Sequence, residues 1–528
     1  MGLLTASLFL TPPRLSHIRC FLDTPVLPKH RRQHLRLHLL LVETGEDESN
    51  NPNTTSLFTA FAAIDDPKID LNYTIREYPA NFSVQRNDEW YPRSAGIGGC
   101  TIHNAGENSI AGMRQQFDAI SLTFNDPTCS TGLLLERNLY LDPTVPNPDH
   151  GFSGWLNSSR ASAINFTSTD PKWTALGSSI IAASGPPTIP DQNSHVPLPQ
   201  IRPRPRTPHK RRRPPPRLHP GQAHPARRLL EEPHDHDQRA RHQKKWEGDC
   251  VWTGCGARGF AGKQKLDEKN IVARREVIIA GGAFQTPQLL SGIGDKAQLS
   301  EFGIPTVVNL PGVGANLQDN DELPAFWEFT SNFTDPESFG YALATSANST
   351  SLEPDLWTYY APFEFNGFHH GTAGSNSQGY VRLTGSHPQD LLDINKLRFQ
   401  GPDGKADIVV LREAIKRWRK VINEDQNIAQ FVKREVAPGA NVTSDEDLEE
   451  YILNNVFAHH ACCTAAIGAD GDPRAVLDGD FNVRGVNNLR VVDASSFPVS
   501  PGYFPQSPTY MISEKAAAVI LKDGKARS

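Results

Sequence analysis

The sequence has no apolar run near the roughly 18 residues that a bilayer-spanning helix needs. It has no paired C-x-x-C motifs among its seven cysteines, which removes the common structural zinc arrangements. An odd count also excludes a fully paired disulfide framework. The spacing allows a local pair between Cys250 and Cys255, and a distant partner for Cys462 or Cys463. The N-terminal MGLLTASLFLTPP lacks both a basic leader and a small-residue cleavage site, so it makes a poor signal peptide. No strong charge of either sign is present overall. A formal charge of −6 over 528 residues supplies no field that would draw nucleic acid or a membrane. No internal repeat is visible.

One further absence is local. Between Ile201 and Leu230 there is no acidic residue, many Arg and Pro, and almost nothing to bury. Such a segment cannot offset its ordering entropy, so residues 196–246 are expected to be disordered, as are residues 1–37. The remainder is long enough for two or three domains' worth of core. Eight N-x-S/T sequons (Asn53, Asn72, Asn81, Asn157, Asn165, Asn332, Asn348 and Asn441) point to an extracellular glycoprotein.

Several segments carry clear local patterns. LLLVETG (39–45) reads as a buried strand ending at Glu43. GIGGCTIHNA (96–105) is a Gly turn opening a short helix. EVIIAGGAFQTPQLLSGIG (276–294) reads as a strand over Val277–Ala280 and a Gly281–Gly282 turn. A helix follows, with Thr286 as N-cap, Pro287 at its first position and Gly292 at its end. Strand, Gly turn and helix together present backbone N–H groups to a phosphate or a flavin. Residues 407–422 space their apolar side chains as an amphipathic helix does. Ser444 opens another helix, with Leu448, Tyr451, Ile452 and Val456 on one face. LRVVDAS (489–495) reads as a strand ending in Asp493, and Ser507-Pro508 caps a last helix.

Four of these segments, in this order, resemble the glucose–methanol–choline (GMC) oxidoreductase family: LLLVETG, YPRSAGIGGCTIHNA, residues 280–320 and residues 459–520. The third is the strongest match, running from the Gly281–Gly282 turn through LPGVGANLQDN. The resemblance implies an α/β fold, with a Rossmann-like FAD-binding domain and an α+β substrate domain built on an antiparallel sheet. It implies a cofactor, FAD, held by Glu43 at the ribose, by Gly98, Gly99, Cys100 and Asn104, by Gly281 and Gly282, and by Asp493 and Ala494. It places the family's active-site His at His460. A second active-site position falls on Phe504, with Gln506 as the nearby polar alternative. Oxidising an alcohol removes a carbinol hydride and a hydroxyl proton. The flavin takes the hydride, and a His titrating near neutrality suits the proton. The implied FAD domain covers 38–150, 247–325 and 455–528, and the substrate domain 151–195 and 326–454. The implied partner is a small-molecule alcohol, sugar or choline-like donor.

The chain departs from the family in two places. No G-x-G-x-x-G turn occurs in residues 1–42, where the family holds the FAD pyrophosphate. The basic block 196–246 falls where the family has strands that complete the cofactor domain. Translation in a wrong frame or intron read-through accounts for both, and this makes the domain incomplete. A competing reading is therefore a degenerate or mis-framed member that binds no FAD. A third reading, a basic nucleic-acid-binding protein, rests on HKRRRPPPR (209–217) alone and has no interleaved aromatics.

Overall fold

The computed structural model describes residues 66–103, 170–184, 275–334, 368–387, 390–501 and 504–526. It also describes parts of 41–64, Thr144, and strands at 136–138, 156–158, 250–254, 269–273, 340–344 and 356–361. The basic block 196–246, residues 1–37, Asn104 and Cys255 lie outside the described residues. In chain order, the elements that position the site are β1 (Tyr73–Ile75), β2 (Glu89–Tyr91), α1 (Pro171–Ser184), β3 (Val277–Ile279), α2 (Gly282–Leu289) and β4 (Asn320–Phe329). They continue with β5 (Gly340–Ala344), β6 (Leu356–Ala361), β7 (Phe368–Gly374), β8 (Tyr380–Arg382), β9 (Asp393–Asn395) and α3 (Gly401–Arg419). The last are β10 (Val432–Ala437), α4 (Asp445–Asn455), β11 (Leu489–Val491) and α5 (Gln506–Ala526).

The fold is mixed α/β. Its largest sheet is antiparallel and five-stranded, in the order β5-β6-β7-β4-β10. Alternate residues of β4 (Leu323, Ala325, Trp327 and Phe329) face inward and are buried, as the two-residue period of a strand requires. Against them α3 lays Leu411, Ala414, Ile415 and Trp418, the i, i+3, i+4, i+7 stripe of an amphipathic helix. The two indoles keep their polar handles paired. Trp418 Nε1 donates to Thr358 Oγ1 at 3.0 Å and Trp327 Nε1 to Asn423 Oδ1 at 2.7 Å. Truncating either buried Trp to Ala would cost about 3–5 kcal/mol. Pro324 is tolerated within β4 because it lies beyond the end of β10, where that edge is unpaired; its carbonyl accepts from Tyr451 Oη at 2.8 Å.

A second apolar cluster surrounds the parallel pair β3–β11 and includes Ile279, Leu290, Phe481, Val491 and Ile512. A third joins β1 and β2 to α2, β8 and β9 through Tyr73, Tyr91, Phe284, Val381 and Ile394. The chain after β1 then runs along the chain after β9. Arg76 N donates to Ile394 O, Lys396 N to Arg76 O and Arg398 N to Glu77 O, at 2.9, 3.0 and 2.8 Å. This ladder sets Glu77 beside Lys396 and Arg398.

Several local expectations shift. The described part of the segment read as a strand over 39–45 (Leu41, Glu43 and Gly45) is not strand; no neighbouring strand pairs with it among the described residues. The helix read as starting at Thr286 starts one turn earlier, at Gly282, with Gly281 as N-cap. Pro287 therefore sits inside α2 and cannot donate to the Ala283 carbonyl. Thr464 Oγ1 donates to that carbonyl instead, at 2.6 Å. The helix read over 407–422 begins at Gly401 and passes into a wider turn over Lys420–Glu424. Strand β11 stops at Val491, so Asp493 caps a short turn, Ala494–Ser496, rather than ending a strand. Helix α5 starts at Gln506, one residue before the expected cap. Ser444 does cap α4, accepting from Asp447 N at 3.0 Å. Cys100, Cys462 and Cys463 are free thiols, so the distant disulfide foreseen for Cys462 or Cys463 is absent.

Candidate active site

The Gly281–Gly282 turn exists because Gly282 takes φ +73°, a conformation that L side chains rarely adopt. A Cβ there would project into open space, with nothing within 4 Å. The turn is locked from a distance. Asp493 Oδ2 accepts from Gly282 N at 3.0 Å and from Thr286 Oγ1 at 2.6 Å, and Oδ1 accepts from Ser495 N at 2.7 Å. Burial pushes the Asp493 carboxyl above its ordinary value, and these donors counter it. Ala494 follows directly, and its carbonyl accepts from Cys463 N at 3.1 Å.

The second Gly turn is linked to α2 through Arg93. Gly98 and Gly99 take φ +111° and +54° and lead into a short helical turn, Gly99–His103. Glu43 Oε1 accepts from Gly45 N at 3.1 Å and Gly96 N at 3.0 Å, so this carboxylate pins the Gly-rich turn to the preceding segment. The backbones approach so closely that a Cβ on Gly45 would lie 2.4 Å from the Ala95 carbonyl carbon. Cys100 Sγ lies 3.6 Å from Arg93 Nη1. The Arg93 guanidinium stacks over Tyr91 and Phe284, 4.6 and 5.2 Å from their centroids, and donates to the His459 carbonyl at 2.9 Å. Phe284 belongs to α2, so the two Gly turns and the 459–463 segment meet around Arg93.

His460 follows α4 on an extended segment that pairs with the start of β4; Glu322 N donates to Phe457 O at 2.8 Å, and Phe457 N to Glu322 O at 2.9 Å. His460 is held at three points. Its N–H donates to Asp319 Oδ1 at 2.8 Å. Its Nδ1 lies 2.8 Å from Glu322 Oε1. Its ring meets the Phe504 ring edge-on at 5.2 Å between centroids. Phe504 in turn meets Trp357 of β6 at 4.7 Å. Gln506, the polar alternative to Phe504, donates to Tyr510 Oη at 3.2 Å, one turn along its own helix. His459 lies deeper, T-shaped on Tyr91 and beside Phe457; burial pulls its pKa down to about 3, so it is neutral at any working pH.

Beneath the two histidines lies a buried ionic network that sequence reasoning missed. Asp319 pairs with Lys396 at 3.0 Å and accepts from Tyr91 Oη at 2.8 Å. Glu77 pairs with Arg398 at 2.6 Å and with Lys396 at 3.5 Å, while Arg398 also contacts Asp321. Burial alone would raise the pKa of Glu77 and Asp319, but Lys396 and Arg398 hold both carboxyls below their ordinary values. These residues are scattered over 77, 319–322 and 396–398, and only the topology joins them. One signal was available: β4 opens Asn-Asp-Glu before an apolar strand, an arrangement that needs buried partners.

Comparison with known proteins follows these elements. Two models described as GMC oxidoreductase match residues 256–322 and 375–513, which contain α2, the start of β4, His460 and Asp493. An oxygen-dependent choline dehydrogenase of Vibrio vulnificus is 32% identical over 289 residues, 47% of this chain and 51% of that protein. Human mitochondrial choline dehydrogenase is 32% identical over 293 residues, 47% and 48% of the two chains. Choline oxidase of Arthrobacter globiformis is 32% identical over 272 residues. The chain thus spans about half the length of the curated relatives it matches. Among solved structures, formate oxidase of Aspergillus oryzae superposes with a TM-score of 0.69 at 19% identity, covering 92% of this chain and 93% of that one. A pyridoxine 4-oxidase superposes at 0.66 and 21% identity, covering 90% and 92%. The fold agrees with that of these structures, and residues 256–322 and 375–513 are similar to GMC oxidoreductases.

Proposed function

We propose that the chain is an FAD-dependent oxidoreductase acting on the CH–OH group of a small-molecule alcohol, with His460 as the base. The observation that carries this reading is the three-point anchoring of His460, which leaves one ring nitrogen for a substrate. This occurs in the folded unit that also holds the Gly281–Gly282 turn and Asp493.

The residues present suit a flavin along part of its length. The open side of Gly282 is a cradle that any side chain would fill, and Gly98–Gly99 gives a second close-approach turn. Gly281, Gly282, Asp493 and Ala494 would lie along the ring and ribityl chain, with Gly98, Gly99 and Cys100 facing them. Glu43, with Oε1 taken up by two backbone N–H groups, would meet the ribose. No strand–G-x-G-x-x-G–helix unit is among the described residues, so pyrophosphate contacts are not assigned. Bound there, a flavin supplies the acceptor for the carbinol hydride.

The chain's own residues do the rest. His460 takes the hydroxyl proton through Nε2, and the Asp319 carboxylate fixes its backbone. Phe504 and Trp357 form an apolar boundary beside the base, suited to the alkyl or aryl part of the alcohol and able to exclude water. Phe504 offers the substrate oxygen no hydrogen bond, so His460 carries that role alone. The sequon asparagines Asn72, Asn81, Asn332 and Asn441 are exposed, which favours a secreted glycoprotein. A mass loss on enzymatic deglycosylation of the secreted chain tests that part. The activity is tested by saturating the purified chain with FAD and adding a panel of alcohols without oxygen. Loss of the visible flavin band with carbonyl product is expected; a flavin-loaded chain that no alcohol reduces contradicts the reading.

A further inference from the structure

We propose that Tyr91 is a positioning residue for His460, and this rests on the reading of His460 as the base: its hydroxyl, together with Asp319 and Arg93, fixes the two peptides on either side of His460 and so sets where the imidazole points. The need for such a clamp follows from the strand pairing. The bridges Glu322–Phe457 and Gln318–Cys462 enclose residues 319–321 on one strand and 458–461 on the other. The His460 side therefore carries one extra residue, a bulge, which breaks the ladder and re-aims the side chains on it. Backbone groups in the bulge lose their strand partners, and where they are buried they need others.

Side chains supply them. Lys396 Nζ donates to Ala458 O at 3.2 Å and Arg93 Nη1 to His459 O at 2.9 Å. His460 N donates to Asp319 Oδ1 at 2.8 Å and Ala461 N to Tyr91 Oη at 2.9 Å. His459 O and His460 N belong to one peptide, and Ala461 N to the next. Each peptide is planar, so holding both planes fixes φ and ψ of His460 and with them its Cα–Cβ direction. Tyr91 is the member that joins the others. Arg93 Nη2 and Ala461 N can only donate to its oxygen, at 3.1 and 2.9 Å. Its single proton therefore goes to Asp319 Oδ2, at 2.8 Å. Burial pushes the phenol well above its ordinary pKa, so that proton stays in place at any working pH. Tyr91 is buried with its donor and both acceptor positions used, and Phe would keep the ring while offering none of them.

The test is hydrogen exchange of the full chain, resolved to single amides, together with kinetics of the FAD-saturated chain. In the wild type the Ala461 amide, outside any strand or helix, is expected to be as protected as the Cys462 amide, which donates to Gln318 O at 2.9 Å. In Tyr91→Phe the Ala461 amide is expected to exchange about tenfold faster, and the Cys462 amide no faster. The kinetic probes are benzyl alcohol and choline, and the one that reduces the wild-type flavin faster is used. With it, kcat in Tyr91→Phe should fall roughly 10–10²-fold while KM and FAD affinity stay within about twofold, because the base is misdirected and no binding group is removed. A general loss of structure would instead speed exchange at both amides. An unchanged kcat in a flavin-loaded Tyr91→Phe chain overturns the proposal, as does a loss confined to KM or an equal change at both amides. Should Tyr91→Phe fail to fold, a wild-type Ala461 amide that exchanges far faster than that of Cys462 overturns it equally. A wild-type chain that neither alcohol reduces, with Ala461 selectively loosened in Tyr91→Phe, would sink the alcohol-oxidising reading and leave the clamp standing.

Discussion

The carboxylate of Asp319 accepts the backbone N–H of His460 at 2.8 Å while its second oxygen receives Lys396 and Tyr91. One buried side chain therefore fixes the candidate base and anchors the ionic network below it. Replacing it by Asn leaves Lys396 without its closest carboxylate and is expected to cost about 3–5 kcal/mol in denaturant unfolding.

The pH dependence has a definite sign. Asp319 and Glu77 have folded-state pKa values below those of the unfolded chain. Their contribution is complete above the unfolded value, about 4, and is lost as the pH falls through the lowered folded values. Melting temperature should accordingly drop steeply on acidification below about pH 4, and less steeply in Asp319→Asn. Parallel acid limbs in the two proteins would argue against the network.

Thr464 offers a sharper local test. Its hydroxyl supplies the hydrogen bond that Pro287 cannot give to Ala283. Thr464→Val keeps the shape and strands a buried carbonyl, so a loss of about 1–3 kcal/mol is expected. Thr464→Ser should recover most of it. Equal stability of the Val and Ser variants would show that the carbonyl finds another partner.

Phe504 sets how many polar groups meet the substrate oxygen. Phe504→Asn adds a donor beside His460 and removes the ring contact with Trp357. A hydrogen bond to a group gaining negative charge contributes about 1.5–3 kcal/mol, so kcat/KM should rise at least roughly tenfold while the melting temperature falls. A drop in kcat/KM with intact flavin binding would mean that the apolar boundary itself is what the reaction needs.

Much of this was legible in the residues, and the misses have physical causes. The β3 strand, the Gly281–Gly282 turn and the apolar face of α4 follow from local pattern, because each is fixed by neighbours in sequence. The start of α2 was misplaced because its decisive contact is remote: Asp493 receives Gly282 N from 211 residues away. The segment 39–45 carries strand-like apolar character, but its described residues find no strand partner among the described residues, and Glu43 accepts from two backbone N–H groups. His460 stood out through its motif, whereas Glu322, Lys396 and Arg398 did not. Nothing in the spacing of single charged residues shows which of them the fold will bury together.

The most direct measurement is anaerobic reduction of the FAD-saturated chain by a reactive alcohol, followed in wild type and in His460→Ala. The account predicts that both bind flavin equally. It also predicts that the visible band of the wild type bleaches in a single turnover, and that His460→Ala bleaches about 10²–10⁴-fold more slowly. Equal bleaching rates in the two proteins, with flavin equally bound, would contradict it.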